Sequence, residues 1–104
     1  MSKKLIGTFY FKRTLHGNII GEFTNNDSSK IMTESATPKS STIDFEGEYN
    51  SNWFDITTHS ADLNIEKNGN KFKINWTELH NPSYEGEAIL VDDLLVGYYR
   101  MNNS

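Results

Sequence analysis

The chain has 104 residues, a formal net charge of −4 at pH 7, 6 Phe, 5 Tyr and 2 Trp, and no cysteine. One domain with a single hydrophobic core, residues 1–104, is expected at this length, and without cysteine a disulfide scaffold and a thiolate metal site are excluded. The acidic balance disfavours nucleic acid as a partner, and the lack of a signal peptide or a membrane-length apolar stretch predicts a cytoplasmic protein that does not bind membranes.

Two strands are predicted near the start of the chain. In residues 5–11 and in residues 19–23, apolar side chains alternate with polar ones or with threonine. This period of two is typical of a strand with one buried face. The His-Gly-Asn sequence at residues 16–18 predicts the turn between them.

The middle of the chain is predicted as a long polar loop followed by two strands. Residues 25–42 are rich in Ser, Thr and Asn, with only residues 30–33 as a possible short strand. Loops of this length in a small domain are usually functional or disordered, so we expect this loop to cover the mouth of a pocket. Residues 43–49 alternate as a strand, residues 50–52 predict a turn, and residues 53–59 form another strand.

The clearest hairpin follows at residues 61–76. The Asn-Gly dipeptide at residues 68–69 is typical of a two-residue turn, and this turn would pair Ile65 with Phe72. The same register pairs Leu63 with Ile74, Ala61 with Trp76, and Glu66 with Lys71. Because apolar residues fall on one face in both strands, the pattern and the turn predict the same buried face.

Two further strands complete the prediction. After a break at residues 80–83, a third run would return beside the second strand of the hairpin, and the Asp-Asp pair at residues 92–93 would turn the chain into the last strand. The expected pairs are Trp76 with Tyr84, Lys73 with Glu87, Leu90 with Leu95, Ala88 with Gly97, and Gly86 with Tyr99.

Glycines recur on the apolar faces of five predicted strands. They are Gly7, Gly21, Gly47, Gly86 and Gly97. A glycine inside a strand costs stability, whereas inward-facing glycines allow the strong coiling that closes a barrel. We therefore predict an all-β fold, a single up-and-down antiparallel barrel of about eight strands with meander topology.

Several short motifs resemble the avidin and streptavidin family, one group among the calycin-type (lipocalin-like) barrels. Residues 7–10 are similar to that family's opening Gly-Thr-Trp-Tyr, and residues 21–23 and 47–49 resemble its recurring Gly-x-Tyr strands. Residues 73–76 resemble a strand that ends in a Trp of the biotin pocket. Phe11 stands where the family has a pocket Asn, so the resemblance implies the barrel rather than biotin as the ligand.

The predicted interior is rich in aromatic side chains that are candidates for ligand binding. They are Tyr49, Trp53, Trp76, Tyr84 and Tyr99. An eight-stranded barrel is either filled by its own side chains or holds one small ligand. Buried tyrosine hydroxyls need partners, so several at one end would orient a polar or aromatic ligand. The partner that we expect is a small hydrophobic or aromatic ligand.

No motif for catalysis, a metal or a cofactor is found. His16, His59 and His80 fall in or beside turns, and His59 with Asp62 lacks a third metal ligand. Acidic residues alternate with core positions and predict solvated outer faces. These acidic residues are Asp44, Glu46, Glu48, Glu85 and Glu87. We therefore expect no catalytic residue, no bound metal and no cofactor.

The last strand is apolar on both faces, which predicts an interface. If the barrel closes, this strand lies beside the first one. Their outward residues, with one from the preceding strand, would then form one apolar patch: Ile6, Tyr10, Ile89, Leu94, Val96 and Tyr98. Contiguous exposed patches usually mark a contact surface, and we expect an isologous homodimer.

Three functions remain open at this point. The leading hypothesis is a non-enzymatic barrel that binds a small ligand. The alternative is a protein–protein interaction module, of the inhibitor or immunity type, with a filled barrel. An enzyme with a site at the barrel mouth comes third, and a water-filled pocket that holds His59 or Glu78 would favour it.

Overall fold

The computed structural model describes residues 4–78 and 83–102. Its eight strands are β1 (Ile6–Arg13), β2 (Ile19–Asn25), β3 (Met32–Pro38), β4 (Gly47–Asp55), β5 (Thr57–Asn68), β6 (Lys71–Thr77), β7 (Ser83–Val91) and β8 (Leu94–Asn102). The only helix in the described ranges is a single 3-10 turn at Leu15–Gly17. The predicted all-β class is confirmed.

The strands pair antiparallel in chain order, and β8 pairs with β1 to close the barrel. The predicted up-and-down topology is therefore confirmed. Closure requires strands that coil and approach closely. At Gly21, for example, a Cβ atom would lie 1.7 Å from the backbone oxygen of Tyr10 on β1. Only glycine permits this approach between β1 and β2.

Alternate side chains of the strands fill the interior. The buried core consists of Phe9, Phe11, Ile19, Ala36, Phe45, Tyr49, Ala61, Leu63, Ile65, Phe72, Ile74, Trp76, Ala88, Leu95 and Tyr99. Phe45 comes from the link between β3 and β4 and is only 3% exposed. We call the end that contains this link the closed end. The open end is the opposite one, where odd-numbered strands begin and even-numbered strands end.

The prediction of a long polar loop at residues 25–42, with only residues 30–33 as a possible short strand, is wrong, because β3 (Met32–Pro38) occupies the middle of it. β3 pairs with β2 and β4, so this segment forms barrel wall and does not cover a mouth. Met32 and Ala36 face inward, and between them Glu34 is also buried. A carboxylate at an inward position interrupts the series of apolar residues, so the two-residue periodicity that predicts a strand was not apparent in the sequence.

The boundaries around β4 also differ from the prediction. Residues 50–52 were expected to form a turn, but they lie within β4, and Ser51 is buried. The chain reverses instead at Ile56, whose φ is 64°, and this divides the predicted strand at residues 53–59 between β4 and β5. Residues 43–46 form a tight turn before β4. A small polar residue facing inward, as at Ser51, resembles a turn residue in the sequence.

The hairpin between β5 and β6 has the predicted faces, but its register is two residues away from the prediction. Ile65 pairs with Ile74 and not with Phe72. Other observed pairs are Leu63 with Trp76, Glu66 with Lys73, and Asn68 with Lys71. Gly69 and Asn70 form the turn, and Gly69 has a φ of 67°. Glycine is preferred at the first central position of a type II′ turn, and a shift by two keeps every side chain on its face.

The last two hairpins have the predicted register. The observed pairs include Trp76 with Tyr84, Lys73 with Glu87, Leu90 with Leu95, Ala88 with Gly97, and Gly86 with Tyr99. Asp92 has a φ of 56° in the turn between β7 and β8. The predicted break at residues 80–83, with His80, lies outside the described residues except for Ser83. In the described part of the chain no helix is long and apolar enough to cross a membrane.

Candidate functional site

A pocket lies at the open end of the barrel, with a volume of about 100 Å³. Its apolar lining consists of Leu5, Phe9, Phe23, Met32, Trp53 and Trp76. Its polar lining consists of Asn25, Glu34, Asp55, His59, Tyr84 and Tyr99. All eight strands contribute, because alternate residues of each strand face the interior. The lining of the pocket is therefore formed by the strands of the barrel and does not depend on a flexible loop.

Glu34, on β3, is the buried acid of this pocket and is only 4% exposed. Its Oε2 accepts a hydrogen bond from Ser51 Oγ and another from Trp76 Nε1, the latter at 2.8 Å. Burial raises the pKa of Glu34 to about 7, although both hydrogen bonds act in the opposite direction and favour the charged form. The carboxyl therefore changes its protonation state near neutral pH.

The second oxygen of Glu34 is available to the pocket. Both hydrogen bonds reach Oε2, so Oε1 has no donor among the described residues. In the same part of the chain, every fully buried side-chain nitrogen or oxygen has a hydrogen-bond partner. Oε1 must therefore keep contact with the space inside the pocket. It is an acceptor for a bound molecule.

Aromatic residues make up half of the residues that line the pocket. Trp76 meets Phe9 edge to face, with ring centroids 5.3 Å apart, and contacts Tyr99 at 5.7 Å. Tyr99 also contacts Phe23 and Tyr84, each with ring centroids 6.1 Å apart. Edge-to-face pairs of this kind are favourable beyond the area that they bury. The wall is thus held by ring contacts from several strands.

The two tyrosine hydroxyls of the pocket stay protonated at neutral pH. The Tyr99 hydroxyl accepts a hydrogen bond from Asn25 Nδ2 at 3.1 Å and donates one to the carbonyl of Thr24 at 3.3 Å. Burial raises the pKa of Tyr99 to about 12. The pKa of Tyr84 is raised by burial as well, and by the nearby carboxylates. Both residues therefore present neutral, polar groups.

An acid and a histidine are paired at the mouth of the pocket. His59 Nδ1 lies 3.0 Å from Glu78 Oε1, and the imidazole stacks on Trp53 with an interplanar angle of 5°. Glu78 is buried, and a buried carboxylate needs such a partner. Asp62, which the sequence grouped with His59, forms an ion pair with Lys39 instead. Within residues 4–78 and 83–102, no cluster of three or more His, Cys, Asp or Glu could hold a metal.

Four of the five aromatic residues predicted to bind a ligand line this pocket: Trp53, Trp76, Tyr84 and Tyr99. Tyr49 does not. It is fully buried towards the closed end, and its hydroxyl donates a hydrogen bond to the carbonyl of Phe45 at 2.8 Å. Its role there is to tie the link between β3 and β4 to the core.

The polar side of the pocket, above all Glu34 and Asn25, was not predicted from the sequence. Both lie in the segment that was interpreted as a loop. A signal was present, since Glu34 has the same parity as Met32 and Ala36. If the two-residue alternation is continued through this charged position, Glu34 is predicted to face the interior of a barrel.

The predicted interface residues lie on the outer surface of β1, β7 and β8. Tyr10 pairs with Val96, which pairs with Ile89 on its other side. Val96 and Tyr98 are 36% and 47% exposed. We call the surface formed by Ile6, Tyr10, Ile89, Leu94, Val96 and Tyr98 the outer patch.

The acidic residues of β7 have partners on the neighbouring strand. Glu85 forms an ion pair with Arg100 at 3.1 Å, and Glu87 accepts a hydrogen bond from the Tyr98 hydroxyl at 2.7 Å. These contacts lie at the outer surface, where ion pairs contribute little to stability. The two glutamates are therefore parts of a solvated sheet face.

One residue that resembles the avidin family and one that departs from it have defined places in this barrel. Trp76 lines the pocket, and Phe11 is buried in the core. The closed eight-stranded meander is compatible with a calycin-type barrel. Comparisons with protein-family models, with curated proteins and with solved structures found no match to the chain.

Proposed function

We propose that the protein is a non-enzymatic binding protein that holds one small ligand in the pocket at the open end. The observation that best supports this is Glu34, a buried carboxyl with one oxygen turned towards an aromatic-lined cavity. Burial of a charged group without full compensation costs stability. Groups of this kind cluster at binding and catalytic sites, where the cost serves recognition.

The size of the pocket restricts the ligand. Pockets for drug-sized molecules have volumes of roughly 300–1,000 Å³, whereas this pocket has about 100 Å³. The ligand is therefore a molecule of a few non-hydrogen atoms, or one small group of a longer molecule that extends out of the open end. In this proposal the chain belongs with the calycin-type barrels, in which eight strands enclose one small ligand.

Ligand binding is expected to stabilise the folded protein. A compound present at about 100 times its Kd raises the free energy of unfolding by about 2.7 kcal/mol, which shifts the Tm of a chain of this size by roughly 10 °C. The measurement is thermal denaturation of the full chain with a panel of small hydrophobic, aromatic and polar compounds. Compounds that raise the Tm are then tested by tryptophan fluorescence, because Trp53 and Trp76 line the pocket.

Two matched variants locate the site of binding. Tyr84→Phe removes a hydroxyl that lines the pocket, and Tyr49→Phe removes a buried hydroxyl outside it. A pocket ligand should lose affinity in the first variant and keep it in the second. If no compound shifts the Tm and a crystal structure has the pocket filled by side chains, the proposal is wrong.

We also propose that the outer patch joins two copies of the chain as an isologous homodimer. Four of its six residues, all but the half-buried Tyr10 and Leu94, are exposed on adjacent strands, and Val96 lies at its centre between Tyr10 and Ile89. A stable interface buries about 800 Å² on each partner. In a two-fold dimer the same patch would serve both copies.

Charges placed in the outer patch are expected to give a monomer. In the double variant Val96→Lys and Tyr98→Glu, the charges would lose their hydration in a dimer and oppose association. Size-exclusion chromatography with light scattering should give twice the 11.9 kDa chain mass for the native protein and a single chain mass for the variant. The control is Asn64→Lys with Asn75→Glu, a pair on β5 and β6. A native protein of single-chain mass, or a variant that stays dimeric, would disprove the interface.

A further inference from the structure

We propose that the pocket at the open end selects a small organic cation, an ammonium group that carries short alkyl substituents. This inference rests on the proposed binding function and names the chemical class of the ligand. Four properties of the pocket support it: its charge, its aromatic wall, the free oxygen of Glu34 and its volume.

The ionisable side chains around the pocket are mostly acidic. Glu34 and Asp55 line it, and Glu78 lies behind His59 at the mouth. The lining residues that the structure describes include no lysine and no arginine. His59 is already paired with Glu78 at 3.0 Å. An unpaired positive charge inside the pocket would therefore meet carboxylates, while an anion would be repelled.

The aromatic lining suits a cation. The six rings that line the pocket are those of Phe9, Phe23, Trp53, Trp76, Tyr84 and Tyr99. The negative face of an aromatic ring attracts an ammonium group, and cages of such rings bind alkylated ammonium ligands. An alkylammonium group also buries its methyl groups against these rings, so one ligand uses both the charge and the apolar surface.

Glu34 supplies the specific contact. Its Oε2 is held by Ser51 and Trp76, which orient the carboxyl, and its Oε1 is left free for a ligand N–H or for direct charge contact. A neutral apolar ligand would bury Oε1 without a partner, and this is unfavourable. A cation compensates the carboxylate that the barrel has buried. The pocket volume of about 100 Å³ fits a small alkylammonium group.

The experiment compares three probes of similar shape and different charge. They are trimethylammonium (cation), tert-butanol (neutral) and pivalate (anion), each added at constant ionic strength to ¹⁵N-labelled full-length protein. The readout is the indole N–H cross-peak of Trp76, which donates to Glu34, assigned with a Trp53→Phe variant. We expect a saturable shift with trimethylammonium, an affinity at least about tenfold higher than that of tert-butanol, and no binding of pivalate.

Charge-neutral variants test the role of Glu34. Glu34→Gln should weaken trimethylammonium binding by about tenfold or more, while Glu66→Gln, the same change at an exposed position of β5, should leave it unchanged. Asp55→Asn, at the pocket rim, should cause a smaller loss of affinity for trimethylammonium. With this second variant the test does not depend on the folding of Glu34→Gln alone. Equal affinity of native protein and Glu34→Gln would overturn the inference.

The pH dependence of binding provides an independent readout. Since burial raises the pKa of Glu34 to about 7, affinity for trimethylammonium should rise about tenfold between pH 6 and pH 8. The other titratable groups around the pocket are Asp55, His59, Glu78, Tyr84 and Tyr99. Histidine side chains can also change charge in this range. His59→Gln should therefore keep the pH dependence and Glu34→Gln should lose it, and the reverse result would overturn the inference.

The outcomes separate this inference from the proposed function. If tert-butanol or pivalate binds as tightly as trimethylammonium, the pocket binds ligands but does not select cations. If none of the three probes moves the Trp76 cross-peak, the cation proposal fails. The compound panel then decides whether the binding function fails with it.

Discussion

Replacement of Gly21 with alanine is expected to lower the free energy of unfolding by about 3 kcal/mol or more, or to prevent folding. A Cβ atom at this position would lie 1.7 Å from the backbone oxygen of Tyr10 and 2.8 Å from its carbonyl carbon. The backbone of a paired strand cannot rotate away as a long side chain can, so β1 and β2 would have to separate. In a closed barrel that separation would also strain the pairing of β1 with β8.

The measurement is urea denaturation followed by far-UV circular dichroism. Gly69→Ala is the matched control, because the same methyl group would meet nothing within 4 Å there. Its cost comes only from the positive φ of 67° and should be about 1 kcal/mol. Similar losses in the two variants would show that close strand approach is not what requires glycine at position 21.

Glu34 is expected to make the protein less stable as the pH rises from about 4.5 to about 7. Burial raises the pKa of Glu34 from its ordinary value of 4.5 to about 7 in the folded protein. The folded state therefore holds a proton that the unfolded chain has lost. The resulting stabilisation is complete below the unfolded pKa and is lost as the pH rises through the folded pKa. A difference of this size corresponds to about 3 kcal/mol.

Glu34→Gln is expected to remove this pH dependence. Glutamine has the same shape, and its side-chain oxygen can accept the hydrogen bonds from Ser51 and Trp76 without carrying a charge. Urea denaturation across the pH range should therefore give two curves that nearly coincide in acid and diverge by about 3 kcal/mol at pH 8, with the variant more stable. The curve of unfolding free energy against pH for Glu66→Gln, a change on an exposed face, should run parallel to that of the native protein. If the curve for Glu34→Gln also runs parallel to that of the native protein, the prediction is wrong.

The two expected effects of Glu34→Gln have opposite signs. The substitution should stabilise the barrel at neutral pH and weaken the binding of an alkylammonium ion. Residues of binding and catalytic sites commonly lower the stability of the fold while they contribute to ligand recognition. The measurement of both properties on one variant therefore tests whether the buried acid serves binding.

The sequence predicted best where the side-chain pattern is uninterrupted. In β7 and β8 every position on the inward face is apolar or glycine and a two-residue turn joins the strands, and the predicted pairs of Trp76 with Tyr84 and Gly86 with Tyr99 are those observed. In the preceding hairpin the faces were predicted correctly and the register was not. Two overlapping two-residue turns compete at residues 68–70, and a shift by two leaves the apolar faces unchanged.

Polar residues inside the barrel account for most of the errors. Ser51 resembled a turn residue and Glu34 resembled a loop residue, yet they face each other in the interior and share a hydrogen bond. Ser51 lies 17 positions from Glu34, and Trp76 lies 42 positions from it. Local patterns cannot show that such distant groups satisfy one another.

The sequence by itself determined the all-β class, the meander of about eight strands and the face of the aromatic side chains in the pocket other than Trp53, which was predicted to follow a turn at residues 50–52. These follow from parity, because the direction of a side chain in a strand depends only on alternation along the chain. The tertiary structure decided that β3 completes the wall, that Tyr49 belongs to the closed end, and that a carboxyl lies among the aromatic rings. Burial of Glu34 is possible only after closure brings its donors from β4 and β6 to it, since an unpaired charge would not otherwise leave water.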